Sequence, residues 1–319
     1  MSADRIAGAL FGAAIGDALG SAFEMLRYDD IERQLGAPFA LDYRPGARGS
    51  LLAGRAPGEP TDDTAMALSV AFALAGGEPP SAALFARCFL ADLERGRGRF
   101  AAMFWDGAPG GATTQALRRL QRGAPAERNG HPDDGGNGAA MRAHPAGALP
   151  DRNEAARVAA LQAEVTHGHP AAIAAAQAVA VLVHDAIAGK AASSEVPDGI
   201  TEPSFTAAWH AAHRELDLRD GRLPSHLRNA AMSGWATVAA AHAITLVFAG
   251  DPERAIAAAA ASGGDTDTVA CIAGAIAGAR AGKSALPERW LRGLAPAAAR
   301  ACDDAATALA ALRDEVAAR

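Results

Sequence analysis

Apolar residues in this chain come in stretches of helical length, and no stretch alternates apolar and polar residues as a half-buried strand does. Alanine and leucine dominate these stretches, and runs of β-branched residues are almost absent. That bias favours helix and withholds the usual material of strands. Helices are expected over 5–19, 64–76, 81–95, 112–121, 153–165, 170–188, 204–214, 228–249, 252–261, 267–281 and 300–317. The expected fold class is all-α, a compact orthogonal helical bundle, with residues 1–319 as one domain. Segment 171–183 is apolar nearly all round and belongs at the centre. Four stretches break the pattern: 37–62, 105–112, 122–150 and 189–204. The third is glycine-rich, and a break of that length inside a domain is usually functional or disordered. The fourth reads as a surface connection.

With 319 residues, 50% hydrophobic and 21% charged, the chain can bury a large core. A formal net charge of −6 leaves no basic footprint for a nucleic-acid scaffold. Cys88, Cys271 and Cys302 have no paired spacing, which suits a reducing, cytoplasmic setting. The apolar N-terminus carries Asp4 before its apolar centre and Asp17 within it, so a buried first helix is expected in place of a signal peptide. His184 and Asp185 likewise cut short the apolar run that begins at His169. A monomer with no membrane partner is the expectation.

Chemistry is concentrated at two helix starts. "PTDDTAMALSVAFAL" places Thr61, Asp62, Asp63 and Thr64 before one apolar run, and "GGDTDTVACIAG" places Asp265, Thr266, Asp267 and Thr268 before another. One such oxygen caps a helix, and a carboxylate in the first turn suits the helix dipole. Four oxygens in a row exceed what capping needs. If the segments meet, four carboxylates share a small volume, and two like charges about 4 Å apart repel by roughly 4 kcal/mol at an effective dielectric near 20. Such a cluster calls for cations or protons. Oxygen donors without cysteine point to Mg²⁺, Mn²⁺ or Ca²⁺. Spacing alone does not bring the segments together.

Five stretches in order, "GALFGAAIGDALGSAFE", "PTDDTAMAL", "NGAAMRAHPAG", "THGHPAAIAAA" and "SGGDTDTVACIAGAIAGA", resemble the ADP-ribosylglycohydrolase family over nearly the whole chain. The resemblance implies an all-α fold with a central binuclear metal cleft. Two divalent cations, Mg²⁺ or Mn²⁺, would be held by Thr61, Asp62, Asp63, Asp265, Asp267 and Thr268. The implied reaction is hydrolysis of the bond from ribose C1″ to an acceptor on an ADP-ribosylated protein, arginine-linked first. Serine-linked ADP-ribose, modified nucleic acid and ADP-ribose-containing small molecules are the other substrates. A non-catalytic ADP-ribose-binding or crystallin-like relative is a rival reading, as is a divalent-metal phosphohydrolase.

The same resemblance nominates Glu24, Asp63, Asp267 and Asp106 for catalysis. For Glu24 the alternative is a solvated helix-end glutamate. Asp106 stands before an insertion that unsettles its alignment, beside Trp105. Asn137, Gly138 and Ala139 are assigned to the diphosphate, since glycine and a helix start admit an anion closely. Without the family that loop is an ordinary turn. His167 is assigned to phosphate or proximal ribose, His169 to a cap or the surface, and His144 to stacking on adenine. Asp17, buried by its flanks, is read as structural or as support for the metal site. His210, His213 and His242 are given no role.

Overall fold

The computed structural model describes residues 2–35, 41–94, 97–100, 103, 109–214, 216 and 223–317. The chain runs through α1 (Ser2–Gly20), α2 (Tyr28–Leu35), α3 (Asp62–Ala75), α4 (Ala82–Asp92), α5 (Gly111–Gln121) and α6 (Arg152–Glu164). It continues through α7 (Pro170–Ile187), α8 (Pro203–His213), α9 (Gly234–Val247), α10 (Pro252–Ala260), α11 (Thr266–Ala281), α12 (Glu288–Gly293) and α13 (Pro296–Ala317). Short 3₁₀ turns include Ser21–Phe23, Asn137–Ala139 and His144–Ala148. Extended pairing among the described residues is limited to the isolated bridges His131–His167, Gly136–Ser233 and Ala230–Gly264. The fold is all-α, as the composition requires.

Most boundaries fall within a residue or three of the expected ones, and caps explain them. The hydroxyls of Thr61 and Ser81 and the carboxylate of Asp151 each accept a backbone N–H at the start of their helices. Three differences have physical causes. The helix expected from residue 228 starts only at Gly234, because 229–233 is drawn into backbone bridges with Gly264 and Gly136. α2 and α12 are too short for periodicity to reveal and are anchored by the buried Tyr28, Ile31 and Trp290. The stretch 122–150 is ordered, and its second half is core: Ala139, Ala140, Met141, Ala143, Ala146 and Ala148 are buried.

The centre of the molecule is the antiparallel pair α1–α11, the most extensive contact between helices. Glycines recur every fourth residue along α1, and their missing side chains let the two backbones touch. A Cβ on Gly8, Gly12, Gly16 or Gly20 would lie 2.0–2.3 Å from the carbonyl oxygen of Gly278, Gly274, Ala270 or Thr266 respectively. This contact sets the site: it fixes the end of α1 beside the start of α11. Gly12→Ala is expected to destabilise the protein by at least about 2 kcal/mol, because the α11 backbone at Gly274 and Gly278 stands where the new methyl would go. Gly111→Ala, with nothing within 4 Å of its Cβ, should leave stability unchanged. Thermal melts of the two variants check this.

Two helical segments, Ser2–Phe23 and Pro170–Ile187, are long and apolar enough to cross a membrane, and they are 94% and 72% buried over their most apolar windows. Burial inside the bundle accounts for their composition. α7 packs against α6, α9 and α11, where its all-round apolar character placed it.

Candidate active site

Asp17 lies on the buried face of α1 and is fully buried. Its carboxylate accepts the Thr61 N–H (2.9 and 3.0 Å), the Thr64 N–H (3.1 Å) and the Thr64 hydroxyl (2.5 Å). It therefore satisfies orphan donors at the start of α3 and fixes that helix to α1. Asp62 and Asp63 form the first turn of α3, buried and aimed into the centre. The start of α11 is fixed differently. Gly263 and Gly264 both have positive φ, and a side chain on Gly263 would strike the Tyr28 backbone at 2.4 Å. Gly264 exchanges backbone bonds of 2.8 Å with Met25 and Leu26. That pairing holds the residues just after α1 against Asp265, the N-cap of α11.

Glu24 comes between. Its carboxylate accepts the Thr266 N–H at 3.1 Å, and its neighbour Met25 takes up a left-handed φ of 64°. Carboxylate oxygens of Glu24, Asp265 and Asp267 all lie within 4.8 Å of one another. The Asn137 amide donates to Asp265 at 2.8 Å and to the Thr237 hydroxyl at 3.2 Å, orienting Asp265 from the opposite wall.

These groups open on a cleft of about 250 Å³. Glu24, Asp62, Asp63, Asp265, Asp267 and Thr268 line one side, and Thr113, Gly136, Asn137, Gly138, Met141 and His167 the other. A larger cavity of about 420 Å³ lies between Phe72, Phe100 and the start of α13. Its charged groups, Glu59, Asp304, Arg99 and Arg300, are exposed and of both signs, so it lacks the convergent buried carboxylates that mark a site of chemistry.

The cleft carries its acidic groups in a costly state. Burial, then Asp265, pushes Glu24 up to about 8. Burial, then Asp17, pushes Asp62 to about 7. Asp63 is raised well above the carboxylate range by burial, Asp17, Asp62 and Asp265, and Asp267 by burial, Glu24, Asp63 and Asp265. Asp63 Oδ2 is buried with no hydrogen-bond partner among the described residues. An unpartnered buried carboxylate oxygen amid like charges fits a hard divalent cation, and the donor set of oxygens alone fits Mg²⁺, Mn²⁺ or Ca²⁺.

Other sequence candidates fall elsewhere. Thr61 is buried behind the cleft wall, where its hydroxyl accepts the Asp63 N–H at 3.3 Å. Ala139 is also behind the wall, its carbonyl accepting from the Gln162 amide at 2.9 Å. His144 does not reach the cleft: it is 1% exposed, bonds the Met141 carbonyl at 3.3 Å and shares a gap with Leu10, Thr64, Leu68 and Cys302. Burial holds its imidazole down at about 4, so it is a neutral core residue and stacks on no ligand. His169 Nδ1 accepts the Ala171 N–H, a cap on α7. Asp106 and Trp105 lie outside the described residues. Thr113, Leu51 and Met232 on the cleft wall carried no sequence signal. The α1 glycines did, in their four-residue spacing.

Comparison with known proteins agrees with this architecture. The family model described as ADP-ribosylglycohydrolase matches residues 1–318. The ADP-ribosyl-[dinitrogen reductase] glycohydrolase of Rhodospirillum rubrum is 28% identical, covering 90% of this chain and 89% of that protein. The ADP-ribosylarginine hydrolase Tri1 of Serratia proteamaculans is 30% identical over 91% of this chain and 75% of its own. A solved structure titled ADP-ribosylglycohydrolase-related protein complex superposes with a TM-score of 0.76 at 26% identity, over 98% of this chain and 99% of that one.

Proposed function

The chain belongs to the ADP-ribosylglycohydrolase family, and we propose that it is a divalent-cation-dependent hydrolase releasing ADP-ribose from a modified protein by cleavage at ribose C1″. The observation that carries this reading is the convergence of Glu24, Asp62, Asp63, Asp265 and Asp267 on one buried cleft from three separate parts of the chain. Asp62, Asp63, Asp265 and Asp267, with Thr268 beside them and Thr61 behind, are the residues that would hold two cations, Mg²⁺ or Mn²⁺. Bound there, the cations supply positive charge that orients ribose oxygens and acidifies water.

Cleavage at an anomeric carbon passes through an oxocarbenium-like state, so carboxylates near C1″ stabilise developing positive charge. Glu24, its carboxylate on the cleft wall and its pKa raised by burial, suits a general acid or base. His167 and the Gly136–Gly138 turn face it across the cleft and are assigned to the phosphates and proximal ribose. Asn137, assigned from the sequence to the diphosphate, has its amide turned to Asp265 and orients that carboxylate instead.

Arginine-linked ADP-ribose is the first substrate, on the similarity to the Rhodospirillum and Serratia proteins. The net charge of −6 suits nucleic acid as a modified end and not as a scaffold. The test is release of ADP-ribose from arginine-, serine- and nucleic-acid-linked substrates with Mg²⁺, Mn²⁺ or EDTA. Cation-dependent release from one linkage fixes reaction and acceptor together. No release from any, with cation bound, sinks the modified-protein reading and leaves an ADP-ribose-containing small molecule as substrate or a binding role.

Glu24→Gln keeps an acceptor for the Thr266 N–H and removes the titrating group. Turnover is expected to fall at least about 100-fold, the low end for a lost general acid or base, while calorimetry shows ADP-ribose affinity within about threefold. Lost affinity at unchanged kcat makes Glu24 a binding residue instead.

A further inference from the structure

Arg142 is fully buried, next in sequence to the cleft residue Met141, and among the described residues no carboxylate is in hydrogen-bond contact with it. Its Nε donates to Gln162 Oε1 at 2.5 Å, and its Nη2 donates to the Gln162 carbonyl at 3.0 Å and to the Thr166 hydroxyl oxygen at 2.5 Å. Its guanidinium lies 4.6 Å from the centre of the Phe89 ring. Gln162 is held in turn by the carbonyls of Ala139 and Ala159, at 2.9 and 3.0 Å. Arg142 Nη1 lies 3.6 Å from Met66 Sδ. Among the described residues, the hydrogen bonds of this assembly reach a cleft-lining side chain through Thr166, whose Oγ1 lies 2.8 Å from His167 Nδ1.

The donors and acceptors along this path admit one arrangement. Guanidinium only donates, so Thr166 Oγ1 accepts from Arg142. The hydroxyl hydrogen then needs an acceptor. Thr166 is fully buried, and among the described residues its hydroxyl has no other partner than His167 Nδ1. If His167 instead donated from Nδ1, the Thr166 hydrogen would be buried unsatisfied, at a cost of about 1–3 kcal/mol. Nδ1 therefore accepts, and the ring proton sits on Nε2. Burial, with Arg142 nearby, holds the imidazole down at about 3, so the ring is neutral.

Nε2 faces the cleft. Gly136 and Gly138 leave that edge of the ring uncovered: a Cβ on Gly138 would lie 2.9 Å from His167 Cε1, and one on Gly136 3.5 Å from Nε2. Nε2 has no protein partner among the described residues. We propose that Arg142, acting through Thr166, fixes His167 as its neutral Nε2–H tautomer and so makes it a dedicated hydrogen-bond donor to an oxygen of the bound ligand, a phosphate or ribose oxygen. This rests on the reading of the cleft as an ADP-ribose site. A neutral donor suits a cleft that must also gather divalent cations, because an imidazolium on the facing wall would repel them. Arg142 and Thr166 are positioning residues, and neither lines the cleft.

The experiment uses the full-length protein with ¹⁵N-labelled histidine and no ligand. Long-range ¹H–¹⁵N correlation at pH 7.5 reports the tautomer, and His167→Gln identifies the signals. The wild type is expected to show an acceptor-type nitrogen at Nδ1 and a protonated one at Nε2. Thr166→Val removes the hydroxyl at equal volume and should give a mixed or inverted tautomer with about tenfold weaker ADP-ribose binding by calorimetry. Thr166→Ser should restore both. A wild-type ring protonated at Nδ1 overturns the proposal without any variant, so misfolding of Thr166→Val does not shield it. An unchanged tautomer in folded Thr166→Val overturns it too. If the tautomer is as stated but the wild type does not bind ADP-ribose, the donor assignment stands and the ligand assignment fails.

Discussion

Asp267→Asn should lower turnover by about 100- to 1,000-fold, the range expected for lost electrostatic stabilisation at a reacting centre, and should raise the melting temperature of the protein in EDTA. Both effects have one cause. Asp267 is 5% exposed, and its charge is opposed by burial, then by Glu24, Asp63 and Asp265. Without a cation, the folded state either bears that repulsion or holds a proton that the unfolded chain does not hold at neutral pH. The amide does neither, and its oxygen can still accept the Thr268 N–H that Asp267 Oδ1 accepts at 2.7 Å. A gain of 1–2 kcal/mol would appear as roughly 2–8 °C. The stabilisation added by Mn²⁺ should shrink at the same time. Asp17→Asn is the contrast: equally buried, Asp17 accepts three donors from the start of α3, and an amide cannot replace both oxygens. That variant should melt lower. Thermal melts with and without Mn²⁺, beside a turnover assay, decide it. Full activity in Asp267→Asn removes Asp267 from the site, and a lower melting temperature in EDTA makes it a structural residue like Asp17.

Helix composition and caps were legible in the sequence because they depend on local chemistry. The helices from Asp62 and Thr266 begin where Thr61 and Asp265 cap them. Their excess oxygens were legible as a sign of chemistry, but their convergence was not, since it depends on how α1 meets α11. The means were visible in Gly8, Gly12, Gly16 and Gly20, a spacing that reads as close helix packing only once the partner helix is known. His144 misled because its assignment came from the resemblance alone, which places a stacking side chain just after the glycine-rich loop. The alanines around it are buried, and its ring went with them. Arg142 gave no signal because a charged side chain is expected outside. Its burial is intelligible only from Gln162 on α6, Thr166 in the turn after α6, and Phe89 on α4.

The same cluster fixes how stability depends on pH. Glu24 moves from 4.5 to about 8 on folding, and Asp62 from 3.8 to about 7. Both are raised, so the folded state binds these protons more tightly than the unfolded chain does. Their contribution is complete below pH 4 and is lost as pH rises through 7 and 8. Buried histidines with lowered values, His144, His167 and His242 among them, act in the opposite sense but only below about 6.5, where the unfolded chain protonates them. The window from pH 7.5 to 8.5, where the unfolded histidines have shed nearly all their protons, therefore isolates the carboxylates. In EDTA the melting temperature should fall across it by several degrees, since each proton of difference is about 1.4 kcal/mol per pH unit. Saturating Mg²⁺ or Mn²⁺ should flatten that slope, because a cation binds the ionised cluster and binds it better as protons leave. The gap between the two curves should widen with pH and narrow again in Asp267→Asn. Parallel curves would place any bound cation away from these carboxylates, and a flat curve in EDTA would mean that the cleft admits water enough to keep them ionised at no cost.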